Sequence, residues 1–301
     1  MIFLITCLDG TVVTICGKQI MEDIGGLEYY SWLNAGYVLS QTALIPIAGK
    51  ISDQFGRKPV LYAGTAVFVI SSLTAALSFS PLMMISSRIM QGIGGGMIVP
   101  VSNALIADMY GPSERSKVMA SVNLLCTVGM AAGPFIGGII SAVATWHWVF
   151  LINIPLAVLF FVLTAGKFPS QSIAGNRPKV DYSGMAALTT VILVSILVFQ
   201  FSDSFGHYVI AAAAVFILMM LILFFRIEKS AEEPVISIKM LKRKEVKLSS
   251  VFLFFNNFGM MGLITYIVLF AMYVLHLTEM ECALLCIPLF ISMAFLTIVN
   301  G

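Results

Sequence analysis

The chain is written in apolar blocks, each about the length that one helix needs to cross a lipid bilayer. Spanning the hydrocarbon layer takes about 20 predominantly apolar residues per helix. Ten such runs stand between charged or turn-forming breaks: 1–17, 33–51, 60–79, 82–107, 118–142, 148–166, 183–201, 208–225, 249–274 and 283–301. In lipid every backbone polar group must be satisfied within the protein, which leaves helices or a closed barrel. Barrel strands alternate apolar and polar residues, and these runs do not. The expected class is all-α, a polytopic membrane protein. Composition agrees, with 59% apolar and only 11% charged residues, where a soluble domain carries roughly 25% charged.

The placement of charge sets an expected topology. All of the 17 basic residues except Lys18 and Arg88 fall in alternate loops. Those loops hold Lys50, Arg57 and Lys58; Arg115 and Lys117; Lys167, Arg177 and Lys179; and the run from Arg226 to Lys247. Basic loops stay cytoplasmic, so both termini are expected inside, with Glu22, Asp23, Glu28 and all three histidines outside. Trp32, Trp146 and Trp148 fall at the outer interface, where an aromatic belt is expected. The five cysteines have neither metal-ligand nor disulfide spacing and read as small packing residues.

Two charges remain inside spans, Asp9 and Arg88. A charge at the bilayer centre costs from about 2.5 to more than 10 kcal/mol, and such residues usually face a bundle interior and mark a transport path. Two blander readings stand beside that one. Arg88 lies close enough to Pro81 to snorkel to the outer interface, and a tilted short first span would leave Asp9 in the headgroup region. No nucleophile–base set, metal-ligand cluster or phosphate loop appears, so an enzyme, a cofactor and a bound metal are not expected. Nucleic-acid binding has no support either; the basic run Lys239–Lys247 reads as an inside loop touching anionic lipid headgroups.

Glycine patterns carry the next inference. The second run ends in Gly49-Lys-Ile-Ser-Asp53-Gln-Phe-Gly56-Arg57-Lys-Pro59, a tight helical connection in which Gly56 can adopt a conformation barred to bulkier residues. Gly129, Gly133 and Gly137 recur every four residues on one face of the fifth run, where small residues let another helix approach closely. Pro134 can bend that helix by removing a backbone donor. Gly92 and Gly96 continue the face of Arg88, with Gln91 three residues on.

These segments resemble the signatures of the major facilitator superfamily. Gly49 to Lys58 is similar to the cytoplasmic motif between its second and third helices, and Arg88 to Gly96 to its fourth-helix motif. Gly129 to Gly138, containing Gly129, Gly133, Pro134, Gly137 and Gly138, resembles the fifth-helix motif associated with antiporters. Leu8-Asp9-Gly-Thr-Val-Val and Trp146 to Pro155 resemble the first- and sixth-helix motifs of its fourteen-span drug:proton antiporter branch. The resemblance implies the major facilitator fold with about ten transmembrane helices present. Residues 1–166 would form a six-helix N-terminal bundle, 167–227 a two-helix linker, and 228–301 the start of an incomplete C-terminal bundle. It also implies proton-driven export of small amphiphilic or cationic compounds across the plasma membrane. In that reading Asp9, Arg88 and Gln91 serve proton coupling and transport, while Gly49, Asp53, Gly56, Arg57 and Asp108 form a conformational latch. Partners would be a small-molecule substrate, protons and membrane lipid. Lys18, Thr14, Gln54 and His147 depart from the family pattern and leave the substrate open. Export of a lipid, siderophore or metabolite stands as an alternative. Because Gly301 falls where the tenth span should end, so does a truncated, non-transporting fragment.

Overall fold

Residues 2–165, 181–202, 205–231, 234–236 and 238–276, with Leu285, Pro288 and Ser292, are described by a computed structural model. The expected tenth span, 283–301, and the basic residues Lys167, Arg177 and Lys179 lie outside these residues. Every regular element among the described residues is helical: α1 (Ile2–Asp23), α2 (Tyr30–Phe55), α3 (Arg57–Ala76), α4 (Pro81–Met109), α5 (Pro112–Val143), α6 (His147–Leu151), α7 (Asn153–Thr164), α8 (Tyr182–Gln200), α9 (His207–Ser230), α10 (Ile238–Leu241) and α11 (Lys244–Tyr273).

Local chemistry explains several of the boundaries. Ser80 caps α4, its hydroxyl accepting from the Met83 N–H at 3.3 Å, and Pro81 follows at the first helical position, where its missing donor costs nothing. Asp181 caps α8 in the same way, accepting from Gly184 N at 2.9 Å. Between α2 and α3, Gly56 takes φ +94°, which an L side chain would strain to reach. The single-residue hinge turns the chain back on itself.

Three expectations from the sequence change in detail. The first span continues to Asp23, beyond its expected end at residue 17, and bends by 65° between its two parts, Ile2–Thr14 and Cys16–Asp23. Trp146 is not a lipid-facing belt residue: it is 3% exposed, and its indole N–H donates to Asp23 Oδ2 at 2.8 Å. Trp148, by contrast, is 56% exposed. The sixth span is broken at Ile152 into α6 and α7.

Six of the described helical stretches are long and apolar enough to cross a membrane, seven if the bent α1 is counted. The second helix is not among them. Ser40, Gln41, Thr42 and Lys50 dilute its apolar content, yet α2 packs along the length of α4. Protein covers Ser40 fully and Gln41, Thr42 and Lys50 in part, so the helix can carry these polar groups. The third helix lines the other side of α4, α1 runs along α5, and α8 packs on α2 and α9.

The interior holds two apolar clusters, one toward each end of the bundle. One gathers Val12, Cys16, Leu33, Ala75, Met84, Trp146 and Phe150; the other gathers Ile5, Tyr37, Phe68, Ile98, Val101 and Phe160. Between them lies a polar layer.

Candidate functional site

The polar layer occupies the gap between the two apolar clusters on each of four helices. Asp9 lies between Ile5 and Val12 on α1, and Ser72 between Phe68 and Ala75 on α3. Arg88 and Gln91 lie between Met84 and Ile98 on α4, and Asn153 between Phe150 and Ala157 across α6 and α7. All of them are fully buried. Neither of the blander readings of Asp9 and Arg88 describes their place: both side chains are 0% exposed and paired in the bundle interior.

The geometry converges on one carboxylate. Arg88 Nη1 donates to Asp9 Oδ2 at 2.7 Å. Gln91 Nε2 and Asn153 Nδ2 both donate to Asp9 Oδ1 at 2.9 Å. Gln91 Nε2 also reaches Ser72 Oγ at 2.8 Å, and Asn153 Nδ2 reaches the same oxygen at 3.3 Å. Arg88 is held in turn by Gln91 Oε1 at 2.6 Å and by the Leu33 carbonyl at 3.1 Å. Its guanidinium lies 4.4 Å from the centroid of the Tyr37 ring, a cation–π contact that suits a cation away from water. Arg88 Nη2 and Asn153 Oδ1 remain without partners. A carboxylate can accept at two oxygens and about four lone pairs, and Asp9 uses both oxygens for donors from α4 and α7. Three helices therefore meet at the Asp9 carboxylate, and α2 and α3 join the layer through Arg88 and Gln91.

Close approach makes this convergence possible. A β-carbon at Gly92 would collide with Ser40 and the Tyr37 carbonyl on α2, and one at Gly94 would lie 2.7 Å from Phe68 N on α3. Glycine on two faces of α4 thus lets two neighbouring backbones come close enough for Ser72, Leu33 and Tyr37 to reach Arg88 and Gln91. The sequence did not single out Tyr37, Ser72 or Asn153 for the site. Their signal was faint, since a serine or asparagine in an apolar run differs little from its many neighbours of the same type.

The other expected groups lie apart from this layer. Arg57 Nε is 3.1 Å from Asp108 Oδ2 across the α3–α4 gap. The same guanidinium pairs with Asp53, bonds Ser52 Oγ and approaches the Gly49 carbonyl at 3.5 Å. Gly56 sits in the hinge beside them. Gly129, Gly133 and Gly137 all face inward on α5: Gly129 meets Leu4 of α1, Gly133 meets Thr11, and Cys16 Sγ donates to the Gly137 carbonyl at 3.4 Å. Gly138 and Pro134 fall on the same helix, the ring of Pro134 lying outside the described side chains. Among the described residues no His, Cys, Asp and Glu group could hold a metal ion.

Known proteins supply the context. The chain is 27% identical over 299 residues to multidrug transporter protein MdtP of Bacillus subtilis, covering 98% of this chain and 55% of that one. It is 28% identical over 305 residues to multidrug resistance protein 3 of the same species, covering 99% and 59%. A multidrug resistance protein B homolog of Mycobacterium tuberculosis is 28% identical, covering 93% and 53%. The chain thus spans little more than half the length of the curated relatives it matches. The fold resembles those of the human organic anion transporter MFSD10 (TM-score 0.63, 17% identity, 99% of this chain and 70% of that one) and the proton:xylose symporter XylE (TM-score 0.64, 15% identity, 99% and 66%). The family model described as Major Facilitator Superfamily matches residues 1–180, a stretch that holds the whole buried layer, the Gly56 hinge and the α5 glycines, and the chain belongs to that superfamily.

Proposed function

We propose that the chain carries the proton-binding bundle of an exporter that moves small amphiphilic or cationic compounds out of the cell by alternating access, in exchange for protons. The observation that carries this reading is the buried Asp9–Arg88 pair with its Gln91 and Asn153 donors. An ionisable pair in a membrane interior is costly to bury, and such residues mark transport paths; this one joins α1, α4 and α7 at a single carboxylate. The multidrug relatives among its neighbours in sequence support the substrate class. The first- and sixth-helix motifs support the fourteen-span drug:proton antiporter branch.

In this mechanism a proton on Asp9 removes the charge that Arg88 Nη1 faces and turns one carboxylate acceptor into a donor. The α1–α4 and α1–α7 contacts are then re-formed in a second arrangement, and the helices that share Asp9 rock relative to one another. Glycine-smooth α5 supplies the sliding face for α1. Arg57, with Asp53, Asp108, Gly49 and Gly56, acts as a latch at one end of the bundle, closed in this conformation. Residues 1–166 are the N-terminal bundle, 167–227 the linker and 228–301 the start of the C-terminal bundle, in the plasma membrane with the N-terminus cytoplasmic.

The test is proton-coupled efflux in everted membrane vesicles, read as dye extrusion together with substrate-induced proton release. Asp9→Asn should abolish both while the protein still inserts. Undiminished proton release from the Asn variant sinks the assignment.

A further inference from the structure

The second apolar cluster is not filled. A cavity of about 250 Å³ opens beside Leu61, Leu105 and Phe160 of that cluster, near the end of the bundle where α4 gives way to α5, and Val118 and Val122 of α5 close its far wall. Ser102 and Tyr110 are the only lining side chains with a hydroxyl, and none of the lining residues is charged. Tyr110 is 38% exposed, whereas Ser102 is 7% exposed and its hydroxyl has no hydrogen-bond partner. Buried helical serines ordinarily bond a carbonyl one turn back, and Ser40, Ser71, Ser78 and Ser87 do so here. Among the described buried hydroxyls Ser102 is the exception, and the cavity is what it lines. An unsatisfied buried hydroxyl costs free energy until something bonds it.

Three properties of this space define what fits it. With no charged side chain on the walls, an ion would be buried without a partner, so the occupant is uncharged. The serine hydroxyl can both donate and accept, and a hydroxyl on the occupant meets it in either sense. The other walls offer apolar carbon, so the rest of the occupant is apolar. Water alone answers poorly, because a buried water makes about three hydrogen bonds and Ser102 is the one buried polar side chain on these walls. Size follows from proportion: an apolar cavity of about 150 Å³ takes up benzene, so this one admits roughly ten non-hydrogen atoms.

We propose that the cavity binds one small uncharged alcohol or phenol, its hydroxyl paired with Ser102 Oγ and its hydrocarbon body against Leu61, Leu105 and Phe160. Ser102 stands about 16 Å along α4 from Gln91, at 1.5 Å per residue. The site is therefore separate from the Asp9 layer and does not depend on the transport reading.

The experiment is equilibrium dialysis of the 301-residue chain in lipid nanodiscs, with empty nanodiscs of the same lipid to subtract partitioning. The probes are 4-propylphenol and 4-propyltoluene, in which a methyl group replaces the hydroxyl. The phenol should bind one per chain. Ser102→Ala should weaken it by about three- to tenfold, the worth of one hydrogen bond, and leave the toluene unchanged. Val122→Phe, which fills the cavity from α5, should weaken both by about tenfold or more; if it does not fold, Val118→Phe fills the same space. Without ligand, Ser102→Ala should unfold at the same temperature or higher, since it removes an orphaned hydroxyl. A lower Tm would show that the hydroxyl is already bonded in the empty chain, and it overturns the proposal. So does phenol binding no greater than in empty nanodiscs, phenol affinity unchanged by Ser102→Ala, or binding untouched by the filling variants.

Discussion

Removing the charge from Asp9 while keeping its shape tests how the buried layer is held. Three donors from two helices point at this carboxylate, two at Oδ1 and the Arg88 Nη1 at Oδ2. In Asp9→Asn the amide oxygen can still serve Gln91 and Asn153, but the amide nitrogen then faces a guanidinium, donor against donor. Arg88 cannot shed its charge, so it stays buried with only Gln91 Oε1 and the Leu33 carbonyl as acceptors. Breaking a buried pair from one side costs about 3–5 kcal/mol. Arg88→Met should cost less, because Asp9 can take up a proton and become neutral. In the double variant Gln91 and Asn153 keep Ser72 Oγ as a partner, so its loss should fall short of the summed singles by about 2–3 kcal/mol, within the range seen for residues in one network. Thermal unfolding of the purified chain reads this directly. At roughly 2–4 °C per kcal/mol, Asp9→Asn should lower Tm by about 6–20 °C. A shift below about 2 °C, or strict additivity in the double variant, would refute the claim that the pair is sealed from water.

Three further outcomes follow from the packing. Gly94→Ala places its β-carbon 2.7 Å from Phe68 N and 2.8 Å from the Gly64 carbonyl, backbone atoms that cannot rotate away. It should destabilise by about 1–3 kcal/mol, whereas Gly10→Ala, with nothing within 4 Å, should leave Tm unchanged or raise it. Trp146→Phe removes the 2.8 Å bond to Asp23 and should cost about 1 kcal/mol in the same assay; no change would mean that water replaces the indole. Asp108→Asn should cost less than about 1 kcal/mol, and less still in high salt, because its side chain is 39% exposed and Arg57 keeps Asp53. A loss above 2 kcal/mol would mean that the pair is shielded from solvent.

Much of the helical framework was legible because the constraint is severe: hydrocarbon admits few structures, so run lengths read almost directly as helices. The first nine expected runs correspond to α1 to α5, the α6–α7 pair, α8, α9 and α11. Asp9 and Arg88 stood out for the same reason, as charges where charge is expensive. Their contact did not, since 79 residues separate them and no periodicity links α1 to α4. Ser72 and Asn153 were harder still, because a hydroxyl or amide in a helix can satisfy itself locally and only the packed bundle reveals which ones reach across. Trp146 was misplaced by a rule about interfaces that fixes depth in the membrane but not the direction a ring faces. The extension of α1 to Asp23 was hidden by Lys18 and Glu22, which read as a loop; instead they form an i, i+4 pair on an exposed helical face.

The bundle contains two kinds of helix interface, and their arrangement bears on what a proton at Asp9 can accomplish. The first helix is fastened to α4 and α7 by charge-assisted hydrogen bonds that demand one geometry and lose their basis when the carboxylate is neutralised. Against α5 it is held by Leu4 at Gly129, Thr11 at Gly133 and one weak thiol contact at Gly137. Those contacts are mostly van der Waals and can be re-formed at a shifted register at little cost. In the proposed mechanism a proton at Asp9 would therefore act on one side of α1 and leave the α5 side free to slide. Had the glycine face and the charge cluster met on the same interface, steric intimacy and electrostatic locking would have reinforced each other, and neutralising Asp9 would have loosened a contact that packing still held fixed. Their separation onto opposite partners of α1, together with the 65° bend between Thr14 and Cys16, is why the proposed proton coupling assigns the movement to the first helix.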